Sequence, residues 1–342
     1  MSLILDPFKD SNAFNASTLT KAINVLPNMY GLVNGMDLFP VESVSTTSIT
    51  IEYNQGTLQL LQTGERGAVG TALTNEKRRV KSFEIPHIPH TGSISPRDIQ
   101  NLTAFGSTSL ETVSNFMVKK LATMRNNQAI TLENLRVGAL KGKINDADGT
   151  LIYDLFDEFN VQQQVFDFKL SDPNFEVREQ CMAIQLHIDE NLLGEVMKNV
   201  CVIVSPEFFS ALVGHKEVKA AYDRFNDGQA LRDSLQYAPF QYGGLKFIQY
   251  NARVPSFDAQ GKSITRRFID ENEGHAFPEG TMDTFRTYAA PAELMQTVNK
   301  PGELFTAWNV ERANGTGWDL YCESNPLPMC SRPNVLVKVV AS

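Results

Sequence analysis

Histidines, cysteines, a serine at a strand end and short acidic clusters are the groups through which this chain could do chemistry. His87 and His90 lie in Pro86-His87-Ile88-Pro89-His90. Two histidines three apart reach one metal from a helix face, but these prolines hold the segment extended, and a linker with incidental histidines is expected. His187, His215 and His275 stand scattered, without a framework of Cys, Asp or Glu. Cys181, Cys201, Cys322 and Cys330 are widely spaced, none at metal-ligand spacing, and Cys201 sits in an apolar run as a buried thiol suited to a reducing compartment. Ser205 follows a strand and precedes a helix, yet Gly-x-Ser-x-Gly is missing and Pro206 comes directly after, so a nucleophile elbow is excluded. Asp270, Glu271 and Glu273 resemble paired carboxylates, but nothing converges on them and a solvated loop is expected. Gly64, Gly67 and Gly70 fit neither a dinucleotide fingerprint nor a phosphate loop, since no Gly-Lys-Ser/Thr follows. No catalytic residue, cofactor or metal is expected.

The totals agree. The 342 residues suit about two domains, 42% hydrophobic content supports real cores, and 20% charged content is ordinary. A net charge of −8 argues against electrostatic binding of nucleic acid by the molecule as a whole; an acidic surface facing DNA would prevent adhesion. Met1 to Asp6 lacks the basic start and apolar core of a signal peptide. No apolar run approaches the roughly 20 residues of a membrane span, so no membrane partner is expected. The class is a soluble, cytoplasmic protein of mixed α and β.

The elements are organised around the stretch from Ser95 to Asp148. Ser95-Pro96 is a helix-start signal. The pattern is then helical to Leu140, with Leu110, Val113, Met117, Leu121 and Met124 on one face and Lys119, Lys120 and Arg125 elsewhere. From Leu110 to Leu140 such a helix spans about 46 Å, more than a small core covers. It ends in Leu140-Lys141-Gly142-Lys143 and a hairpin turn at Asp146-Ala147-Asp148-Gly149. Residues 1–42 read as an arm with one helical turn, Ala16 to Val25; Phe8, Phe14 and Phe39 must lie against either the same chain or a neighbour. Residues 43–90 read as an extended hairpin. Ile49, Ile51 and Tyr53 alternate, Leu58 and Leu60 continue past Asn54-Gln55-Gly56, and Lys77 to Ile85 returns. The loop between, Gln62 to Glu76, has almost no core of its own, a mark of function or disorder. Its basic cluster fits a solvated face, nucleic-acid contact or ion pairing with an acidic partner subunit.

Further on, Leu151, Tyr153 and Leu155 with Phe166, Phe168 and Leu170 read as a hairpin. Glu176 to Met197 reads as a helix with Cys181, Ile184, Ile188, Leu192 and Val196 on one face. Val200 to Val204 is a buried strand, and a helix follows with Phe208, Phe209, Leu212 and Val218 inward. Phe240 to Tyr250 is strand-like, Asn251 to Ile264 a polar loop, Arg266 to Asp270 a short strand, and Phe277 to Thr281 a turn. Trp318 to Glu323 is a strand, Pro326-Leu327-Pro328 a turn, and Val335 to Val340 a terminal strand.

In this order the pattern resembles the major capsid (head) proteins of lambda-type tailed bacteriophages, over nearly the whole chain. The resemblance rests on Leu140-Lys141-Gly142-Lys143 before an Asp-Gly hairpin and on Ser205-Pro206-Glu207-Phe208-Phe209 with Val218-Lys219. It rests also on Phe277-Pro278-Glu279-Gly280-Thr281, on Ser324-Asn325-Pro326-Leu327-Pro328-Met329 with Pro333 and the Val335–Val339 strand, and on Gly64 to Gly70 in the hairpin. It implies an α+β capsid fold of four parts: an N-terminal arm (1–42), an extended hairpin or E-loop (43–90), a peripheral domain on a spine helix (91–190 and 306–342) and an axial domain (191–305). It implies hexamers and pentamers closing into an icosahedral head around double-stranded DNA, assembled in the host cytoplasm. A scaffold, a portal, shell expansion and decoration by a second protein are expectations of the same kind. Covalent Lys–Asn cross-linking has no matching positions and is not carried over.

The residues independently leave surface that one chain cannot bury: a hairpin without a core, an arm with lone phenylalanines and an overlong helix. Copies of the chain supply the cover, and Gly64, Gly67 and Gly70 allow slightly different angles between them. Within an acidic protein, Arg66, Lys77, Arg78, Arg79 and Lys81 are expected to pair with acidic groups of a neighbouring subunit, its spine being one candidate surface. The alternatives are an encapsulin-like compartment shell, which would carry a cargo-peptide groove, and a soluble α+β enzyme, which would need convergent polar groups.

Overall fold

A computed structural model describes residues 16–25, 31–53, 79–99, 113–224, 239–257 and 263–342. In chain order its helices are α1 (Ala16–Val25), α2 (Pro96–Ile99), α3 (Val113–Lys141), α4 (Leu155–Phe159), α5 (Val177–Asn191), α6 (Pro206–Gly214) and α7 (Lys216–Arg224). Its first strands are β1 (Val41–Ser43), β2 (Ser48–Tyr53), β3 (Arg79–Glu84), β4 (Ile88–Ile94), β5 (Lys143–Asn145), β6 (Leu151–Asp154), β7 (Gln164–Asp167), β8 (Asn199–Val204) and β9 (Phe240–Tyr242). The remainder are β10 (Leu245–Gln249), β11 (Arg253–Phe257), β12 (Ser263–Arg267), β13 (Glu273–Glu279), β14 (Phe285–Ala289), β15 (Thr306–Glu311), β16 (Trp318–Ser324), β17 (Pro326–Cys330) and β18 (Val337–Val340). The described residues fall into two compact units, one from Met1–Ile49, Phe83–Glu133 and Thr287–Pro328, the other from Thr50–Ser82, Asn134–Arg286 and Met329–Ser342. Among the described residues no helix is long and apolar enough to cross a membrane.

In the first unit β15, β16 and β4 form an antiparallel sheet in that order. Trp308 stands opposite Tyr321 and their rings stack at 5.3 Å. Leu19 and Ile23 of α1 join Met117, Leu121 and Met124 of α3 in a core with Ile94, Phe305 and Leu320. Met117, Leu121 and Met124 of the predicted stripe are therefore buried as their spacing predicts. The arm helix also closes the open edge of the sheet. Thr20 Oγ1 donates to the Ala307 carbonyl at 3.2 Å and accepts from its N–H at 3.1 Å, and Asn24 Nδ2 donates to the Phe305 carbonyl at 2.9 Å. Side chains thus satisfy backbone groups that an edge strand would otherwise present to another chain. For Ala16–Val25 and Phe39, the surface they lie against belongs to the same chain; Phe8 and Phe14 lie outside the described residues.

The second unit is built on a six-stranded sheet, order β7-β18-β13-β8-β10-β9. The Val200–Val204 run is wholly buried, as a continuous apolar strand requires. Phe168, Phe208 and Phe247 meet edge to face beside it, at 5.5 and 6.3 Å. Helix α6 starts where Ser205 Oγ accepts from Phe208 N–H at 3.2 Å and Pro206 occupies the first turn. At the end of α3, 29 residues and about 43 Å long, Gly142 takes φ +78°, and a Cβ there would lie 2.1 Å from the Phe156 ring. The turn out of the helix into β5 therefore needs glycine. β5 and β6 form the Asp-Gly hairpin.

Several local expectations give way. The Leu151–Leu170 hairpin does not form: β6 pairs with β5, Asp154 then caps α4 by accepting from Phe156 and Asp157 N–H, and β7 pairs in parallel with β18. Asn251 to Ile264 is no polar loop throughout, since β11 and β12 pair in antiparallel register. Phe277 to Glu279 is the end of the strand β13, and the chain turns only from Gly280, at φ +81°. Pro326-Leu327-Pro328 is a buried strand, tolerated because β17 is at the edge of its sheet, where a missing N–H costs no ladder bond. Pro86 to His90 leads into strand β4, likewise an edge strand. Helix α5 stops at Asn191, before Leu193 turns left-handed at φ +54°, so Val196 leaves the buried face and is exposed. Arg125, expected on the outer face of α3, is buried with its guanidinium 5.3 Å from the Phe305 ring centroid.

Candidate assembly surfaces

The groups that could have done chemistry are placed apart, each in a structural contact. His87 Nδ1 donates toward Asn325 Oδ1 at 3.1 Å and Glu323 Oε1 at 3.2 Å. Buried Glu323 also accepts from Glu293 N–H and Asn325 Nδ2, so His87 belongs to a polar cluster that ties the start of β4 to the end of β16. It is thereby more than a linker histidine. His90 and Asn127 are in hydrogen-bond contact. Among the described residues no group of three or more His, Cys, Asp or Glu could hold a metal ion. Asp270 pairs with Lys141 at 2.9 Å, Glu271 with Arg267 at 3.3 Å and Glu273 with Lys338 at 2.5 Å, so the acidic trio goes to three separate cations; Asp270 and Glu271 stay largely exposed, as a solvated loop requires, and Glu273 opens β13. All four cysteines are free and buried, and burial pushes each thiol up to about 12. His275 lies fully inside the six-stranded sheet, where burial first and then the charges of Lys141 and Lys338 hold its imidazole well below the usual histidine range.

Where the arm re-enters the first unit, the spine supplies a carboxylate that the sequence did not single out. Glu133 is 1% exposed; its Oε1 accepts from Val33 N–H at 2.9 Å and its Oε2 from Asn34 N–H at 2.8 Å. A short 3₁₀ turn, Val33–Gly35, thus has its free N–H groups met by an anion at its start. Asn34 Nδ2 donates to the Ala129 carbonyl at 2.9 Å. Gly31, at φ +98°, is required by the same contact, because a Cβ there would lie 2.3 Å from Glu133 Oε2. The legible signal was an acid between Leu132 and Leu135, near the middle of a long helix.

The extended hairpin is described only at its base, where β2 and β3 pair and Ile85 N–H donates to the Thr47 carbonyl at 2.9 Å. Arg66, Lys77 and Arg78 lie outside the described residues, as do Leu58, Leu60 and Gly64 to Gly70. Arg79 opens β3. Lys81 Nζ pairs with Glu158 Oε2 at 2.7 Å in the same chain, and both side chains stay well exposed. Of the five basic residues Lys81 alone has a described side chain, and its partner lies in its own unit.

Residues 15–341 match the family model described as phage major capsid protein E. The chain is 30% identical to the major capsid protein of Pseudomonas phage KPP10 over 96% of its own length and 97% of that protein. It is 30% identical to the major capsid protein of Salmonella phage Felix O1, covering 97% of both. Among solved structures, it superposes at TM-score 0.58 on a prophage protein of E. coli CFT073 assigned to the capsid, with 16% identity, 96% of this chain and 99% of that one covered. The capsid structure of cyanophage P-SCSP1u gives TM-score 0.52 at 12% identity, covering 93% and 90%.

Proposed function

The chain belongs to the phage major capsid protein E family, and from that premise we propose that copies of it close as hexamers and pentamers into an icosahedral head around double-stranded DNA. Its place is the phage capsid, which it builds with other copies of itself, and its fold is the α+β capsid fold. The observation that carries the reading is the family match over residues 15–341. A compartment shell of the encapsulin kind is not favoured, since the relatives at 30% identity are phage capsid proteins. Electron micrographs of the purified protein test it: closed, uniform particles are expected, and a monodisperse small species at every concentration would overturn it.

The finer parts of the reading have the same standing. Catalysis is no part of its work. Assembly takes place in the host cytoplasm, on a scaffold and around a portal, and a decoration protein binds the finished shell. The enclosed DNA faces a neutral or acidic lining, in keeping with the net charge of −8. The chain works in four parts: arm 1–42, extended hairpin 43–90, peripheral domain 91–190 with 306–342, and axial domain 191–305. Arg66, Lys77, Arg78, Arg79 and Lys81 pair with acidic groups of a neighbouring subunit, and because Lys81 already meets Glu158 within its own chain, the intersubunit contact falls mainly on the other four. Reversal of two of them, Arg78→Glu with Arg79→Glu, should stop shells from forming while circular dichroism and melting stay those of the parent. Normal shells from that variant would overturn the pairing and leave the capsid reading intact.

A further inference from the structure

We propose that Asn314, at the tip of the β15–β16 hairpin, is a self-modification site, where the chain converts its own side-chain amide through a cyclic imide with Gly315 into aspartate and isoaspartate. The proposal stands apart from the capsid reading and calls on no partner but water. Asn-Gly occurs twice in the chain, at 34–35 and at 314–315. Glycine in second place leaves its backbone nitrogen open to the preceding side chain, since no Cβ blocks the approach. The two pairs are held in opposite ways.

Asn34 is buried; its Nδ2 donates to the Ala129 carbonyl and its N–H to Glu133, while Gly35 N–H donates to the Leu32 carbonyl at 3.1 Å. Asn314, Gly315 and Thr316 are all exposed and lie outside both strands. Gly315 takes φ +69°, and a Cβ built on it would meet nothing within 4 Å. Asn314 Oδ1 accepts from Thr316 N–H at 3.2 Å and from Thr316 Oγ1 at 2.5 Å. A backbone N–H can only donate, so the atom it faces is oxygen and the amide has one orientation. When a nucleophile adds to Cγ, negative charge gathers on this same Oδ1, and donors already aimed there lower the barrier to acyl transfer. The nucleophile is the next nitrogen in the chain, so the attack is intramolecular. Gly315 N–H donates to the Arg312 carbonyl at 2.8 Å; that turn bond must open first, which makes the reaction slow.

The Gly315 nitrogen gives up its proton and bonds to Asn314 Cγ, the Cγ–Nδ2 bond breaks, and Nδ2 leaves as ammonia with that proton. One water then adds to either imide carbonyl and opens the ring. Asp148-Gly149 is the acid counterpart. Asp148 Oδ1 accepts from Thr150 N–H at 2.8 Å, and that bond holds its carboxyl below the usual range, so it stays ionised and resists attack. Conversion at 314 adds a negative charge two residues from Arg312, which pairs with Asp319 at 2.7 Å. As isoaspartate it also lengthens the backbone of the turn by one carbon. The change runs one way, so each subunit carries a mark of its age.

The test keeps the folded parent chain in warm, mildly alkaline buffer made with isotopically labelled water and maps its peptides by mass spectrometry over several weeks. The peptide holding Asn314 should turn from amide to labelled acid, split between aspartate and isoaspartate, many-fold ahead of the peptide holding Asn34. In denaturant that gap should close; a gap that persists would assign the selectivity to local sequence and overturn the proposal. Thr316→Val should slow conversion several-fold and Thr316→Ser should restore it, with melting of both variants like that of the parent. An intact amide at 314, equal conversion at 34 and 314 in the folded chain, or a Thr316→Val rate equal to the parent's would each overturn it as well.

Discussion

At the scale of single residues the chain places ionisable groups where packing, not chemistry, fixes their state. His275 is the clearest. Its ring nitrogens have no hydrogen-bond partner among the described residues, and the cations nearest it, Lys141 and Lys338, are themselves paired with Asp270 and Glu273. Its folded value lies below the ordinary one near 6.5, so as pH falls through about 6.5 the unfolded chain takes up a proton that the folded chain refuses. Stability is then full above that pH and is lost progressively below it, with a slope of at most about 1.4 kcal/mol per pH unit from this group. His275→Leu, of similar volume and without the titration, should flatten the fall in melting temperature between pH 7 and 5; an unchanged acid limb would assign that limb elsewhere. Glu133 behaves oppositely, as a buried charge well satisfied. Removing it by Glu133→Ala strands Val33 and Asn34 N–H, and loss of two charge-assisted bonds should cost about 3 kcal/mol in denaturant titration. Amide exchange at 33–35 should quicken more than elsewhere.

Elements were legible where a single period ran long enough to be read. The α3 stripe, the Val200–Val204 strand, the arm helix and the Asp-Gly hairpin follow from spacing and turn chemistry alone. Pairing was not legible, because alternation tells that a segment is a strand without telling which strand lies beside it. The Leu151 and Phe166 runs were both extended over part of their length, yet their partners are 143–145 and 337–340 rather than each other. Polar composition concealed β11 and β12, since a two-stranded ribbon needs little buried surface to look like a loop. Proline misled at β17, because its penalty applies to inner strands and this one sits at an edge. Val196 was lost to a break in the helix that no apolar period announces. The end signals fared better. Ser205, rejected as a nucleophile, is a cap, and Ser205→Ala should cost about 1 kcal/mol in chemical denaturation. A loss of several times that size would mean the hydroxyl does more than cap α6.

At the scale of the whole molecule the family and the fold were readable from motifs in order, whereas contacts between distant loops were not. The sequence marks the basic residues from Arg66 to Lys81 by their charge, but the hydrogen-bonded contact of Glu195 with the loop at 282–284 emerges only when two loops distant in the chain are set side by side. The position of β18 has a further effect. Residues 337–340 sit inside the six-stranded sheet, between β7 and β13, so that unit lacks an inner member until translation has passed them. Without them β7 and β13 would have no strand between them, so a change that keeps 337–340 from pairing should unfold that unit as a whole rather than fray its edge.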